Sequence, residues 1–450
     1  MNPQNPPPER SVDMAHAPAM NASHPARVEE MWEDVFSRVN LARALRRVER
    51  NGGAPGIDGM STEQLRAHLV VHWPRIRERL DEGAYRPSPV RRVAIPKRTD
   101  GVRELGVPTV LDRFIQQALL QTLQPLFDPH FSPHSYGFRP KRSAHMAVNA
   151  ARTFVEGGKT WVVDVDLDSF FDRVSHDVLM ARVARRVGDK RVLRLLGSYL
   201  RAGVMADGVC VAGEEGTPQG SPISPLLANV LLDDLDRELE HRGHAFVRYA
   251  DDIRVYVTTP RAGQRVLDSI TSFVEDHLRL KVNHEKSGVD RATVRGLLGF
   301  GLFWMTGRKV GARVDRSAMH ALKSRVRRLT SRSWSVAMSF RIGALNKFIR
   351  GWCAYFSLAD TPKVFRDLDG WLLRRLRQVR WKEWKRVRAK RRNLASLGIP
   401  PWQARRWAAT RKGSWRIAGS VPLNRALPRA YWESLGLQGF SESTRRLRDV

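Results

Sequence analysis

Apolar residues recur at helical spacing from Met31 to Val48, through Val35, Val39, Leu41 and Leu45, and predict a first helix. Gly52, Gly53, Pro55, Gly56 and Gly59 break that pattern and predict a structured loop. Ser61-Thr62-Glu63-Gln64 is a capping signal for a helix running towards Leu80. Two strands are expected over 90–95 and 102–107, then helices over 111–126 and 144–155. The 161–167 segment alternates apolar residues with Asp, the pattern of a buried strand that carries carboxylates. Helices follow at 175–186 and 190–202, a hairpin at 204–211, and a long helix at 226–239. Strands 246–248 and 253–258 are joined by Tyr249-Ala250-Asp251-Asp252. After about residue 315 the pattern is helical, notably over 315–330, 338–357 and 363–392. The fold class is therefore α+β followed by an all-helical region.

Composition sharpens this picture. A 450-residue chain that is 42% hydrophobic has cores to build, which excludes wholesale disorder. Its six prolines before residue 26 and sparse apolar content predict a disordered tail over residues 1–30. The formal charge of +31 calls for a polyanionic partner. Residues 301–450 hold 35 Lys and Arg against 8 Asp and Glu, and nine of the 13 tryptophans follow residue 330. Cations interleaved with aromatics suit a surface that grips phosphates and stacks on unpaired bases. A solvated charged helix face would explain the cations but not the tryptophans. Cys210 and Cys353 lie too far apart in sequence for a zinc knuckle or a disulfide framework, which fits a reducing compartment. No apolar stretch of roughly 18 residues and no signal-peptide pattern is present, so no membrane association is expected.

The acidic residues carry the chemistry. Asp164 and Asp166 share one face of the 161–167 strand, with Asp168 next if the strand continues. Such crowding is costly unless a cation neutralises it. Asp251-Asp252 sits at a hairpin tip between apolar strands. Turn propensity alone explains an isolated Asp-Asp pair. A rigid turn facing an acidic strand is instead a way to hold magnesium, which needs only one or two protein carboxylates. Two such ions can drive an in-line phosphoryl displacement.

Tyr249-Ala250-Asp251-Asp252 resembles the YxDD box of reverse transcriptases. The surrounding motifs resemble that family in the same order. Upstream are Ala54-Pro-Gly-Ile-Asp-Gly59, Ile95-Pro-Lys97 with Arg103, and Ser135-Tyr-Gly-Phe-Arg-Pro140. Asp166-Leu-Asp-Ser-Phe-Phe-Asp172, Gly216-Thr-Pro-Gln-Gly-Ser-Pro-Ile-Ser-Pro225, Asn283-His-Glu-Lys-Ser287 and Leu298-Gly-Phe300 follow. Phe348-Ile-Arg-Gly-Trp-Cys-Ala-Tyr-Phe356 resembles the maturase segment. Together they identify the chain as similar to bacterial group II intron reverse transcriptase/maturases, rather than retron or diversity-generating enzymes. The two lone cysteines do not make the HNH endonuclease found in many members, so second-strand cleavage is not expected.

The resemblance implies a right-hand polymerase with fingers over 31–160, palm over 161–315 and a helical thumb/maturase domain over 316–450. The reverse transcriptase domain spans about 75–305. It implies two Mg2+ ions held by Asp166, Asp251, Asp252 and the Leu167 carbonyl. Asp164 and Asp168 stay open as structural or supporting carboxylates. Lys97, Arg103, Gln219 and Lys286 are the expected nucleotide contacts, and Phe171 the residue that excludes a ribose 2′-OH. One of Phe170 and Phe171 is expected to be core. Arg350, Trp352, Arg374, Arg377, Lys385 and Arg388 are the expected RNA contacts. Against these stand ordinary readings: an exposed hairpin for Lys97 and Arg103, a helix-entry loop for Gln219, and buried core for the tryptophans. The implied partners are group II intron RNA, an RNA template with a DNA primer, deoxynucleoside triphosphates and target DNA, in a bacterial cytoplasm. The oligomeric state stays open. The alternatives are a reverse transcriptase recruited to antiviral defence or a CRISPR locus, and a maturase that only assists splicing.

Overall fold

The structure is a computed structural model and describes residues 28–96, 102–202, 204–206, 209–211 and 220–448. Lys97, Gln219 and the expected tail up to residue 27 lie outside the described residues.

The first predicted helix is two, α1 (Trp32–Val35) and α2 (Arg38–Asn51). Ser37 divides them because its Oγ accepts from the Asn40 amide, 3.3 Å away, and so caps a new helix. α3 (Leu65–Asp81) starts four residues after the Ser61 signal. The Ser61 amide does donate to Gln64 Oε1 at 2.8 Å, but that bond closes a turn before the helix.

β1 (Val90–Pro96) and β2 (Val102–Val107) form an antiparallel hairpin with Ile95 opposite Arg103. α4 (Val110–Phe127) and α5 (Ala144–Glu156) follow. β3 (Trp161–Val165) stops one residue short of Asp166. α6 (His176–Ala184), α7 (Lys190–Leu200), the short strands β4 (Val204–Ala206) and β5 (Val209–Val211), and α8 (Ser224–His241) lead to β6 (Ala245–Tyr249) and β7 (Asp252–Val257).

Four further elements had no sequence expectation: α9 (Pro260–His277), β8 (Gly288–Arg291), β9 (Phe300–Trp304) and β10 (Val310–Val314). α9 is legible in retrospect. Thr259 caps it, Pro260 opens it, and Gly263, Val266, Ile270 and Val274 form its buried stripe.

The last third is helical: α10 (Arg316–Leu329), α11 (Met338–Phe356), α12 (Pro362–Glu383), α13 (Val387–Ser396), α14 (Pro401–Ala408), α15 (Ser414–Ala418), α16 (Val421–Ala426), α17 (Arg429–Ser434) and α18 (Phe440–Arg448). The single helix expected over 363–392 breaks at Trp384, whose ψ of 65° is not helical. Among the described residues, no helix is long and apolar enough to cross a membrane.

The sheet that organises the molecule has the order β6-β7-β3-β8, with antiparallel pairs throughout. Alternation divides its two faces. Val163, Val165, Ile253, Val255 and Phe246 pack into a core with α4 and α8. On the other face, Val162, Val247 and Tyr256 join α5, β9, β10 and the C-terminal helices in a second core. Asp164 and Arg254 lie opposite each other on this second face, towards the β6–β7 turn. One sheet face is thus apolar at one end and charged at the other. A second sheet, order β2-β1-β4-β5, stands apart from it.

Candidate active site

β6 and β7 are joined by a two-residue loop, Ala250-Asp251, with Tyr249 paired to Asp252 across it. Tight hairpins of this length need positive φ at the first loop residue, and Ala250 adopts φ 59°. A side chain in that region is strained, which ordinarily favours glycine there.

On the neighbouring strand, Val165 pairs with Ile253, so Asp166 and Asp252 flank the sheet one step further on. Both carboxylates are accessible, with side chains 45% and 34% exposed. The backbone of Asp166 is pinned by the Asn283–Ser287 segment. Its amide donates to Ser287 Oγ at 3.0 Å and its carbonyl accepts from the Asn283 amide at 2.8 Å. The same segment delivers Lys286, whose Nζ lies 3.4 Å from Asp166 Oδ2.

Asp164 is the more enclosed carboxylate. It pairs with Arg254 at 3.2 Å and Arg295 at 3.4 Å. Burial pushes its carboxyl above the ordinary range despite those cations, and the charges of Asp252 and Asp166 push the same way. Arg254 also reaches Asp252 Oδ1 with Nε, 3.2 Å away. Burial alone would lower the pKa of Arg254, but Asp252 and Asp164 outweigh it and hold it above its usual value. Asp164 is therefore a partner of fixed cations. Asp168 turns away to Arg173, 3.1 Å from it, because the strand does not continue that far.

Leu167 is buried and bridges to Val282. Phe170 and Phe171 lie on one short 3-10 turn, Phe170–Asp172, and both are buried, ring edge to ring face with centroids 5.0 Å apart. Arg103 belongs to β2.

Arg254 and Arg295 were missed in the sequence. Alternation on β7 carried the signal for Arg254, since it falls on the face of Asp252 and opposite Asp164.

Among the described residues, no three of His, Cys, Asp and Glu converge into a ready-made metal cage. Two accessible carboxylates at one sheet end nevertheless fit magnesium, which keeps most of its shell as water and substrate oxygens.

The expected RNA contacts separate into two groups. Arg350, Lys385 and Arg388 are exposed. Arg377 is buried and donates through Nε to the Leu427 carbonyl at 2.9 Å, so it holds helices together rather than facing a partner. Arg374 stacks on Trp415, 4.1 Å from the ring centroid, and donates to its carbonyl. The Trp352 ring packs against Phe356, Phe365 and Phe440. Trp381 and Trp384 are likewise core. The exposed counterpart lies nearby, in a groove where Arg386, Arg388, Arg391, Arg392 and Arg405 surround Trp402, which is 67% exposed.

Comparison with known proteins agrees with this anatomy. The family described as reverse transcriptase (RNA-dependent DNA polymerase) matches residues 95–302. The group II intron, maturase-specific domain matches residues 319–398. Protein YkfC of Escherichia coli (strain K12) is 34% identical over 289 residues, which is 55% of this chain and 76% of that protein. The group II intron-encoded protein LtrA of Lactococcus lactis is 35% identical over 40% of this chain, but that stretch is 29% of LtrA. The putative COX1/OXI3 intron 1 protein of Saccharomyces cerevisiae is 34% identical over 40% of this chain and 22% of its own length. A chain of a partial Cas6-RT-Cas1--Cas2 complex aligns at 24% identity over 54% of this chain and 42% of that one, with a TM-score of 0.36, too slight to carry an argument. A polymerase domain followed by a maturase domain, and YkfC matched across three quarters of its length, assign this chain to the group II intron-encoded reverse transcriptase and maturase family.

Proposed function

We propose that this protein copies RNA into DNA at the end of the β3–β7 sheet and uses its helical third to bind group II intron RNA and assist splicing and mobility. The observation that supports it most is the pair of accessible carboxylates, Asp166 and Asp252, beside the strained Ala250-Asp251 turn. Asp166, Asp251, Asp252 and the Leu167 carbonyl would hold magnesium. When bound, the metal supplies the charge that activates the primer 3′-hydroxyl and stabilises the leaving oxygen.

The chain's own residues do the rest. Arg103, on β2, and Lys97 would hold the triphosphate, and Gln219 would contact the nucleotide. Lys286, beside Asp166, neutralises that carboxylate until a nucleotide arrives and then serves the phosphates. Phe171 bounds the sugar and rejects a 2′-hydroxyl by bulk.

RNA is gripped by the arginine groove around Trp402, together with Arg350 and Lys385. Five guanidinium groups and an open indole provide phosphate contacts and a stacking platform.

Primer extension on an RNA template tests the polymerase reading. Asp251→Asn should lower the rate by orders of magnitude and leave RNA affinity nearly intact, because the amide keeps the volume and loses the charge. Full activity in that variant would overturn the assignment.

A further inference from the structure

We infer that Arg248 is a positioning residue for the β6–β7 turn, acting through a buried clamp with Asp236 and Asn229. This rests on the catalytic reading of Asp251 and Asp252.

Arg248 lies on the sheet face opposite the accessible carboxylates, and its side chain is fully buried. Its guanidinium spends its donors in three directions. Nε and one terminal nitrogen bind the two oxygens of Asp236 at 2.7 and 2.6 Å. The other terminal nitrogen donates to Asn229 Oδ1 at 2.9 Å and to the Ala250 carbonyl at 3.0 Å. That last bond fixes the peptide between Ala250 and Asp251, whose orientation sets the direction of the following side chains.

The clamp ties three motifs together. The Arg248 backbone amide donates to the His134 carbonyl at 2.9 Å, and its carbonyl accepts from the Tyr136 amide at 2.8 Å. Asn229 Nδ2 donates to the Gly137 carbonyl at 3.0 Å. Gly137 lies so close to the turn that a Cβ there would overlap the Ala250 nitrogen. The Ser135–Pro140 segment, α8 and the turn are thus locked at one point.

A buried ion pair is a poor device for stability, since a well-packed apolar pair often does as well. Its use here is conformational. Ala250 at φ 59° is strained, and strain of this kind persists only where its surroundings over-determine it. The work needs a planar fork that reaches a carboxylate, an amide oxygen and a backbone carbonyl at once, which a lysine cannot provide.

The test compares wild type, Arg248→Lys and the apolar pair Arg248→Met with Asp236→Leu. Thermal melting, template RNA affinity, kcat and KM for deoxynucleotide, and amide exchange at residues 249–252 are measured for each. In wild type, the amide of Asp252, which pairs with Tyr249 across the turn, should exchange as slowly as those of β3. In both variants kcat should fall by about tenfold or more, with KM and RNA affinity within about twofold. Exchange at the turn should rise by about tenfold while β3 is unchanged. The apolar pair leaves Asn229 Oδ1 and the Ala250 carbonyl without the guanidinium and should melt below wild type, so kcat is measured at a temperature where far-ultraviolet circular dichroism shows each variant fully folded.

Wild-type exchange at the turn as fast as in an open loop would overturn the clamp, whether or not the variants fold. So would full kcat in either variant. Asp251→Asn in the same assay separates the two readings. If it stays active, the catalytic reading fails while the exchange data still report on the clamp. If it is dead and the apolar pair is fully active, the clamp alone fails.

Discussion

Asp233 shows how one residue couples burial to pH. It sits on α8 with its Oδ1 buried and unbonded among the described residues, and Arg237 is 3.6 Å from its other oxygen. Burial pushes its carboxyl up to about 6, and the charges of Asp236 and Asp234 add to that against the pull of Arg237 and Arg248. Its folded pKa lies above the unfolded one, so its contribution is present below about pH 4 and lost as pH rises through about 6. The loss is at most roughly 3 kcal/mol. Asp233→Asn should raise the melting temperature at pH 8 and leave it unchanged at pH 4; equal gains at both would refute the assignment of strain to its charge. A second test concerns sugar choice. Phe171→Ala should admit ribonucleotides more readily than wild type, and Phe170→Ala should not. Emptying either buried position costs stability, about 3–5 kcal/mol for a large ring. The ratio of ribo- to deoxynucleotide incorporation cancels any loss of folded protein. An unchanged ratio in Phe171→Ala with a changed one in Phe170→Ala would move the filter to the neighbour. The placement of Asp166 and the Asp251-Asp252 turn at one end of the sheet was legible in the sequence, because their spacing and flanks are local. Arg248 was not. An arginine in the apolar run Phe246-Val247 signals only that a partner is needed, and Asp236 and Asn229 come from α8.

At the scale of elements, local signals succeeded wherever the decision was local. The β1–β2 hairpin, α4, α5, β6 and β7 follow from alternation and helical spacing. The break between α12 and α13 did not, because basic residues continue across it and favour one uninterrupted helix. Packing decides it: Trp381 and Trp384 are both buried, rings 6.0 Å apart, and Lys390 lies 4.6 Å from the Trp381 ring centroid. The turn also lets Leu394 reach the core. This changes what the arginines do. Arg377 on α12 is a strut, while Arg388, Arg391 and Arg392 on α13 are exposed and line the Trp402 groove. Reversing those three to Glu should weaken intron RNA binding, and each lost phosphate contact should lower the slope of log K against log salt by about 0.7–0.9. Arg377→Glu should instead lower the melting temperature, because it strands a charge among buried groups and frees the Leu427 carbonyl. Titrations at several salt concentrations, paired with melts, distinguish the two effects. Unchanged affinity in the triple variant would place the RNA surface elsewhere.

For the whole molecule, the charge map and the packing map do not coincide. The basic last third is separate in composition, yet it has no core of its own that excludes the rest. Val162, Val247 and Tyr256 of the β6-β7-β3-β8 sheet, Ala147, Val148 and Ala151 of α5, and Phe300 and Leu302 of β9 all belong to the cluster that holds Leu345, Ile349, Phe365 and Leu376. Polar ties cross the same boundary. Arg152 Nε on α5 donates to the Val310 carbonyl at 2.7 Å and pairs with Asp360 at 3.3 Å. Asp360 in turn accepts from the Ala312 amide at 2.9 Å. Under the proposed polymerase function, such a joint would keep the sheet end and the helical third in fixed register, which positioning of a primer end requires. The shared core predicts one cooperative unfolding event. Melts followed by near-ultraviolet and far-ultraviolet circular dichroism should coincide for the full chain. A chain ending at residue 315 should lose that cooperativity and aggregate, since Val162, Val247, Tyr256 and Phe300 would then face water as one apolar patch. Two well-separated transitions in the full chain, or a soluble and cooperatively folded 1–315 fragment, would show instead that the helical third stands on its own.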